Sequence, residues 1–137
     1  MSKALPAALL EAEIGHLLNQ LGESITGRSR IPVTVTVEGQ CTVPNEVKVA
    51  LYRIAQEALN NVAKHSGAKT AQVSLICKPE LITLTVIDDG RGFDVEENST
   101  KSLGMGIIRE RAKEIGANLS IKSAANEGTE IEVVWRN

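Results

Sequence analysis

The amino-acid sequence predicts a two-layer α/β sandwich: a mixed, largely antiparallel five-stranded sheet covered on one face by about three helices. Three observations lead there. Apolar residues recur at helical spacing in three segments. Five short runs alternate apolar and polar residues in the manner of half-buried strands. Four of those runs form two close-set pairs, over 71–88 and 119–135, which reads as two antiparallel hairpins.

The first helix is expected over residues 7–21 (AALLEAEIGHLLNQL), where Leu10, Ile14, Leu17, Leu18 and Leu21 share a face. ESITGRSR follows as a polar connection. IPVTVTVEG sets Ile31, Val33, Val35 and Val37 against Thr34 and Thr36, and Pro32 suggests an edge strand. Residues 44–67 carry the longest periodic pattern, opened by Pro44 and stopped by Gly67. AQVSLIC (71–77) and LITLTVID (81–88) form the first hairpin around the KPE turn. DVEENSTKS has no periodicity and reads as a loop. GMGIIRERAKEIG (104–116) is a helix bounded by glycines, ANLSIKS a short strand, and TEIEVVW the closing strand.

The chain of 137 residues is sized for one domain, and its 42% hydrophobic content with 23% charge is that of a globular protein. Only three aromatic residues occur, one each of Trp, Tyr and Phe, which argues against a base-stacking platform for single-stranded nucleic acid. A net charge of -2 gives no general attraction to nucleic acid or anionic lipid. No apolar run approaches the roughly 20 residues of a membrane span, and the N-terminus lacks a signal-peptide pattern. Cys41 and Cys77 are far apart in sequence and have no partner at metal-ligand spacing, so they are expected as two separate reduced thiols in a cytoplasmic setting.

The polar residues fall in suggestive places. At about 100° per residue, Val47, Leu51, Ile54, Ala58 and Val62 fill one arc of the long helix, with Glu57, Asn61 and Lys64 along its edge. An amide oxygen there can ligate a hard cation, a carboxylate can accept a proton, and an ammonium can neutralise phosphate. A solvated helix edge with an ordinary Glu-Lys pair is the competing account. His65, one turn beyond Asn61, either lines the same cleft or ends the helix. His16 reads as a surface or packing residue.

Strand period two sends Ile82, Leu84, Val86 and Asp88 to one face and Asp89 to the other. A carboxylate ending an apolar row needs donors, either a ligand or the backbone N–H groups of the following glycine turn. Asp89 reads as a turn residue. Thr129, after Gly128, likewise begins the apolar row of Ile131, Val133 and Trp135. Gly104 and Gly106 stand at the head of the last helix, where backbone N–H groups can hold phosphate, although a lone Gly-x-Gly is weak evidence. Arg111 lies within that helix's apolar arc and calls for an acidic partner.

Order and spacing together are more specific than any one of these features. From about Leu51 to Trp135 the sequence resembles the ATP-binding catalytic domain of bacterial sensor histidine kinases, a member of the group that includes gyrase, the Hsp90 chaperones and MutL and shares the Bergerat fold. EALNNVAKH is similar to that family's N box, DDGRGF to its first glycine box, GMG before IIRERA to its second, and GTEIEV to its last. The wording of LYRIAQEALNNVAKHSGA and RERA is most similar to the nitrate-sensor-like and DesK-like subfamily.

The resemblance implies roles for individual residues. Asn61 would coordinate Mg²⁺ bridging the phosphates and Glu57 would be the general base. Lys64 and His65 would face the phosphates. Asp88 would accept from the adenine amino group, with Gly90 and Gly92 bending the backbone beside the base. Gly104 and Gly106 would hinge a lid formed by residues 94–103, and Thr129 would support the adenine end. Residues 1–43 would be a lead-in helix and strand.

No Glu-Leu-His-Asp-like motif occurs, so the phosphoacceptor histidine is expected on a separate helical-hairpin domain, with a response regulator beyond it. The chain is therefore expected to be a monomeric catalytic domain cut from a longer kinase; whether that kinase is membrane-bound is decided outside these residues. An anti-sigma-factor-type serine kinase and a non-catalytic ATP-responsive interaction module are the alternatives.

Overall fold

A computed structural model of the protein describes residues 13–91, 103–124 and 126–136. Helix α1 (Ile14–Ser29) buries Ile14, Leu17, Leu18, Leu21 and Ile25, which recur every third or fourth residue. Residues 7–12 of the expected helix lie outside the described residues, and the helix runs on through residues 23–29, which the sequence reads as a connection. The polar residues of that stretch satisfy backbone groups instead of opening a loop. The Ser29 hydroxyl donates to the Ile25 carbonyl at 2.6 Å, and Thr26 Oγ1 accepts from the Val33 N–H at 3.1 Å. Burial of Ile25 then holds the extra turns in place. Arg30, in the left-handed region at φ 64°, ends the helix by donating its N–H to the Thr26 carbonyl.

Strand β1 (Val33–Gly39) leads to α2 (Asn45–Asn61), which buries Val47, Leu51, Ile54, Ala55, Ala58 and Leu59. The helix then widens into one π-helical turn, Val62–Ser66, and stops at Gly67 with φ 64°. Hairpin β2 (Ala71–Lys78) and β3 (Leu81–Asp88) follows, then α3 (Leu103–Glu114) and hairpin β4 (Asn118–Ser123) and β5 (Thr129–Arg136). The strands lie in the order β1-β2-β3-β5-β4, and only the β1–β2 pair is parallel. The edge position suggested by Pro32 holds: β1 borders the sheet, and the Pro32 carbonyl accepts from the Ala71 N–H at 3.0 Å.

One face of the sheet, with Val73, Leu75, Leu84, Val86, Ile131 and Val133, packs against helical residues such as Leu18, Ile25, Leu51, Ile54 and Ile108 in a single core. Full burial of such a side chain is worth about 1.5 to 3 kcal/mol. The other face carries Gln72, Ser74, Thr83, Thr85, Glu130 and Glu132, the polar halves of the alternating strands. Arg111 finds the acidic partner its position calls for, an ion pair with Glu114 at 3.2 Å, although both side chains are substantially exposed. Such a pair contributes little to stability.

Cys41 and Cys77 are not the separate thiols expected. They form a disulfide, with their Cα atoms 5.2 Å apart, within the range a disulfide spans. The cause is the parallel register: Gly39 pairs with Cys77, so the chain leaving β1 carries Cys41 alongside β2. A sequence separation of 36 residues conceals that neighbourhood. The cytoplasmic setting inferred from reduced thiols loses that support. No described helix is long and apolar enough to cross a membrane.

Candidate functional site

The connectivity gathers one end of every central element. The C-terminus of α2 leads through the π-turn and a short link into the start of β2. Antiparallel pairing sets Ala71, at that start, beside Asp88 at the end of β3. Asp88 in turn faces Thr129, the first residue of β5, and Thr129 faces Ser123, the last residue of β4. Ala71, Asp88, Thr129 and Ser123 therefore form one transverse row at the sheet end. Because α3 leads into β4 at the opposite end, the first turn of α3 lies toward this row. Free N–H groups and the positive end of the helix dipole accompany such a turn.

Asp88 and Asp89 divide as the strand period requires. Asp88 is buried on the core side, and its Oδ1 accepts the Gly90 N–H at 2.8 Å. Burial pushes its carboxyl above the ordinary carboxylate range, and the Asp89 charge adds to this, while the Gly90 bond partly opposes it. Asp89 is exposed and takes three donors: the Lys69 and Thr70 N–H groups at 2.8 and 3.0 Å, and the Thr70 hydroxyl at 3.0 Å. The backbone bonds from Thr70 and Lys69 hold its carboxyl below the usual range. Asp89 thus fastens the link from α2 to the end of β3, which is the turn role read from its position.

The β4–β5 connection closes against the same place. Gly128, at φ 77°, lies so close to the Asp88 carbonyl that a Cβ would collide with it, so glycine is required there. The Arg91 carbonyl accepts the Asn126 N–H and ties the same connection to the loop after β3. An open cleft of about 670 Å³ at this sheet end has Asp88, Ser123 and Thr129 in its wall together with Ile87, Lys122 and Glu130 from the face away from the core, and among the described residues its lining includes neither Asn61 nor α3.

Asn61, the last residue of α2, has a buried side-chain Nδ2 with no hydrogen-bond partner among the described residues. An unsatisfied buried polar group costs about 1 to 3 kcal/mol. Glu57, one turn earlier, is half-buried, and Lys64 is exposed on the π-turn. His65 belongs to that turn. Gly104 and Gly106 occupy the first turn of α3, and a Cβ at Gly106 would meet nothing within 4 Å among the described residues. Gly90 is buried beside Asp88. Gly92 and residues 94–102 of the expected lid lie outside the described residues, and Leu103 already belongs to α3. Among the described residues, no group of three His, Cys, Asp or Glu side chains is placed to hold a metal.

Ser123 was missed in the sequence. Its signal was available: Leu119, Ile121 and Ser123 share a strand face, so a hydroxyl ends an apolar row there just as Thr129 begins one.

Residues 46–137 match the family described as histidine kinase-, DNA gyrase B- and HSP90-like ATPases, and the chain belongs to that family. Among curated proteins it is similar to the sensor protein VraS of Staphylococcus aureus, 36% identical over 129 residues, covering 93% of this chain and 37% of that protein. The chain thus spans little more than a third of this relative. The fold matches the histidine kinase domain of the blue-light-activated histidine kinase of Erythrobacter litoralis EL346, with TM-score 0.73 and 23% identity over 98% of this chain and 64% of that one. It also matches full-length ShkA in complex with AMPPNP, with TM-score 0.76 and 16% identity over 90% of this chain and 30% of that one.

Proposed function

We propose that this domain binds Mg-ATP and donates its γ-phosphoryl group to a histidine on a helical-hairpin domain of the same kinase, from which a response regulator receives it. The observation that carries the reading is the unpartnered buried amide of Asn61, at the same end of the molecule as the inward-facing Asp88. Family membership and 36% identity to a sensor protein support it. The Asp88 carboxylate, with Thr129 beside it, accepts from an adenine amino group. Phosphates lie toward Asn61, Lys64, His65 and the first turn of α3 at Gly104 and Gly106, where the cationic side chain and helix N–H groups offset their charge. Gly90, buried beside Asp88, carries the backbone past the base.

The donor set fits Mg²⁺, which keeps most of its shell as water and phosphate oxygens and asks the protein for one or two oxygen ligands. The Asn61 amide, turned to present its oxygen, is such a ligand. Bound there, the cation would neutralise developing charge on the phosphates. Glu57 accepts the imidazole proton as the histidine nitrogen attacks the γ-phosphorus and the bond to the ADP oxygen breaks.

Calorimetry should show ATP binding that weakens when Mg²⁺ is chelated. Labelled ATP should transfer acid-labile phosphate to a supplied histidine-hairpin protein. An acid-stable product would indicate serine phosphorylation instead. Failure to bind ATP at all would end the reading.

A further inference from the structure

Two hydrogen bonds at the sheet end share the Ser123 hydroxyl. The Ser123 hydroxyl lies 2.9 Å from the Gly128 carbonyl oxygen, which can only accept, so the single Ser123 proton is committed to it. Ser123 Oγ also lies 2.9 Å from Thr129 Oγ1. Either hydroxyl can donate in that second bond, and the arrangement that satisfies both contacts has Thr129 donate to Ser123. In that arrangement Thr129 Oγ1 keeps only lone pairs for the cleft whose wall the residue shares with Asp88. The Asp88 carboxylate, once ionised, is likewise an acceptor. Two acceptors side by side suit a group with two N–H donors and oppose a carbonyl oxygen, which would face lone pairs and leave both acceptors unsatisfied.

We propose that Ser123 is a positioning residue: by taking the Thr129 proton it fixes the polarity of that hydroxyl, and so makes the pocket prefer a 6-amino purine to a 6-keto purine. This rests on the reading that a purine nucleotide lies against Asp88 and Thr129. The strand register puts Ser123 one strand beyond Thr129 in the row that runs from Asp88, so it acts on a group held at Asp88 through Thr129, although it shares the cleft wall with both. Without the serine oxygen, the threonine proton is released to rotate toward the cleft and donate to a keto oxygen.

The test is a competition titration of ATP against inosine triphosphate on the whole domain, with thermal melts to confirm folding. For Ser123→Ala we expect ATP to weaken about threefold and inosine triphosphate to tighten by a similar factor, so the preference shrinks about tenfold, the scale of one hydrogen bond. Ser123→Thr keeps the hydroxyl and should keep the preference. Equal weakening of both nucleotides, an unchanged ratio, or a Ser123→Thr variant indistinguishable from Ser123→Ala would each overturn the proposal. If the unsubstituted domain binds no ATP, the nucleotide site itself is overturned, a separate failure visible before any variant is compared.

Discussion

The two ends of the five-stranded sheet are made from opposite materials. At one end β3 and β5 finish in Asp88 and Thr129, with a buried carboxyl, an unpartnered Asn61 amide nearby and a glycine held at positive φ. At the other end the same two strands pair Ile82 with Trp135, and the Cys41–Cys77 disulfide ties β2 to the segment that follows β1. The first end carries groups that cost stability, because buried polar atoms lose water without full compensation. The second carries groups that supply it. One sheet thus separates the work of binding from the work of holding together.

The largest expected effect falls at the second end. Replacing Cys41 and Cys77 by serine should lower unfolding free energy by about 3 to 4 kcal/mol, from the entropy of the loop the bond closes. Denaturant titration would measure this, and ATP affinity well below the melting range should not change. A parallel loss of affinity would show that the two ends are coupled.

A smaller effect with two signs is expected for Asp88→Asn. ATP binding should weaken by about 1.5 to 3 kcal/mol, the value of a charge-assisted hydrogen bond. Stability should move the other way. The folded carboxyl titrates above its ordinary 3.8, so its ionisation opposes folding. Stability from this group falls as pH rises from that value through the raised one, and the penalty stays in force above it. The variant should lack that dependence and melt higher near neutral pH. A lower melting temperature would sink this account of Asp88.

The smallest change is expected at Asp89, which is exposed. Asp89→Ala should lower the melting temperature slightly, with ATP affinity nearly unchanged. Its sign with pH is opposite to that of Asp88. A depressed folded value means the contribution is present above the ordinary 3.8 and is lost as pH falls through the lower one. Melting curves for the two single variants at several pH values would separate the adjacent acids.

What could be read before the structure was whatever depends on local period. The alternation along LITLTVID told Asp88 from Asp89, and helical spacing grouped Glu57 with Asn61. Both hairpins were legible because their strands are neighbours in sequence. The rest is long-range. The disulfide depends on the parallel β1–β2 register, and the importance of Ser123 depends on β4 lying beside β5 with Ser123 opposite Thr129. The extra turns of α1 depend on Ile25 finding a buried place, which the polar wording of ESITGRSR disguises. The π-turn at Val62–Ser66 leaves no mark in apolar spacing, since it comes after the last full turn of buried residues.

Trp135 gives the chain a built-in fluorescence probe. It is the one tryptophan in the sequence, and it lines a hollow with Cys77 at the disulfide end. At roughly 3.3 Å per residue along β5 it lies about 20 Å from Thr129. Its emission is placed to respond to changes at the disulfide end, while a nucleotide at the other end of β5 lies too far away to touch it.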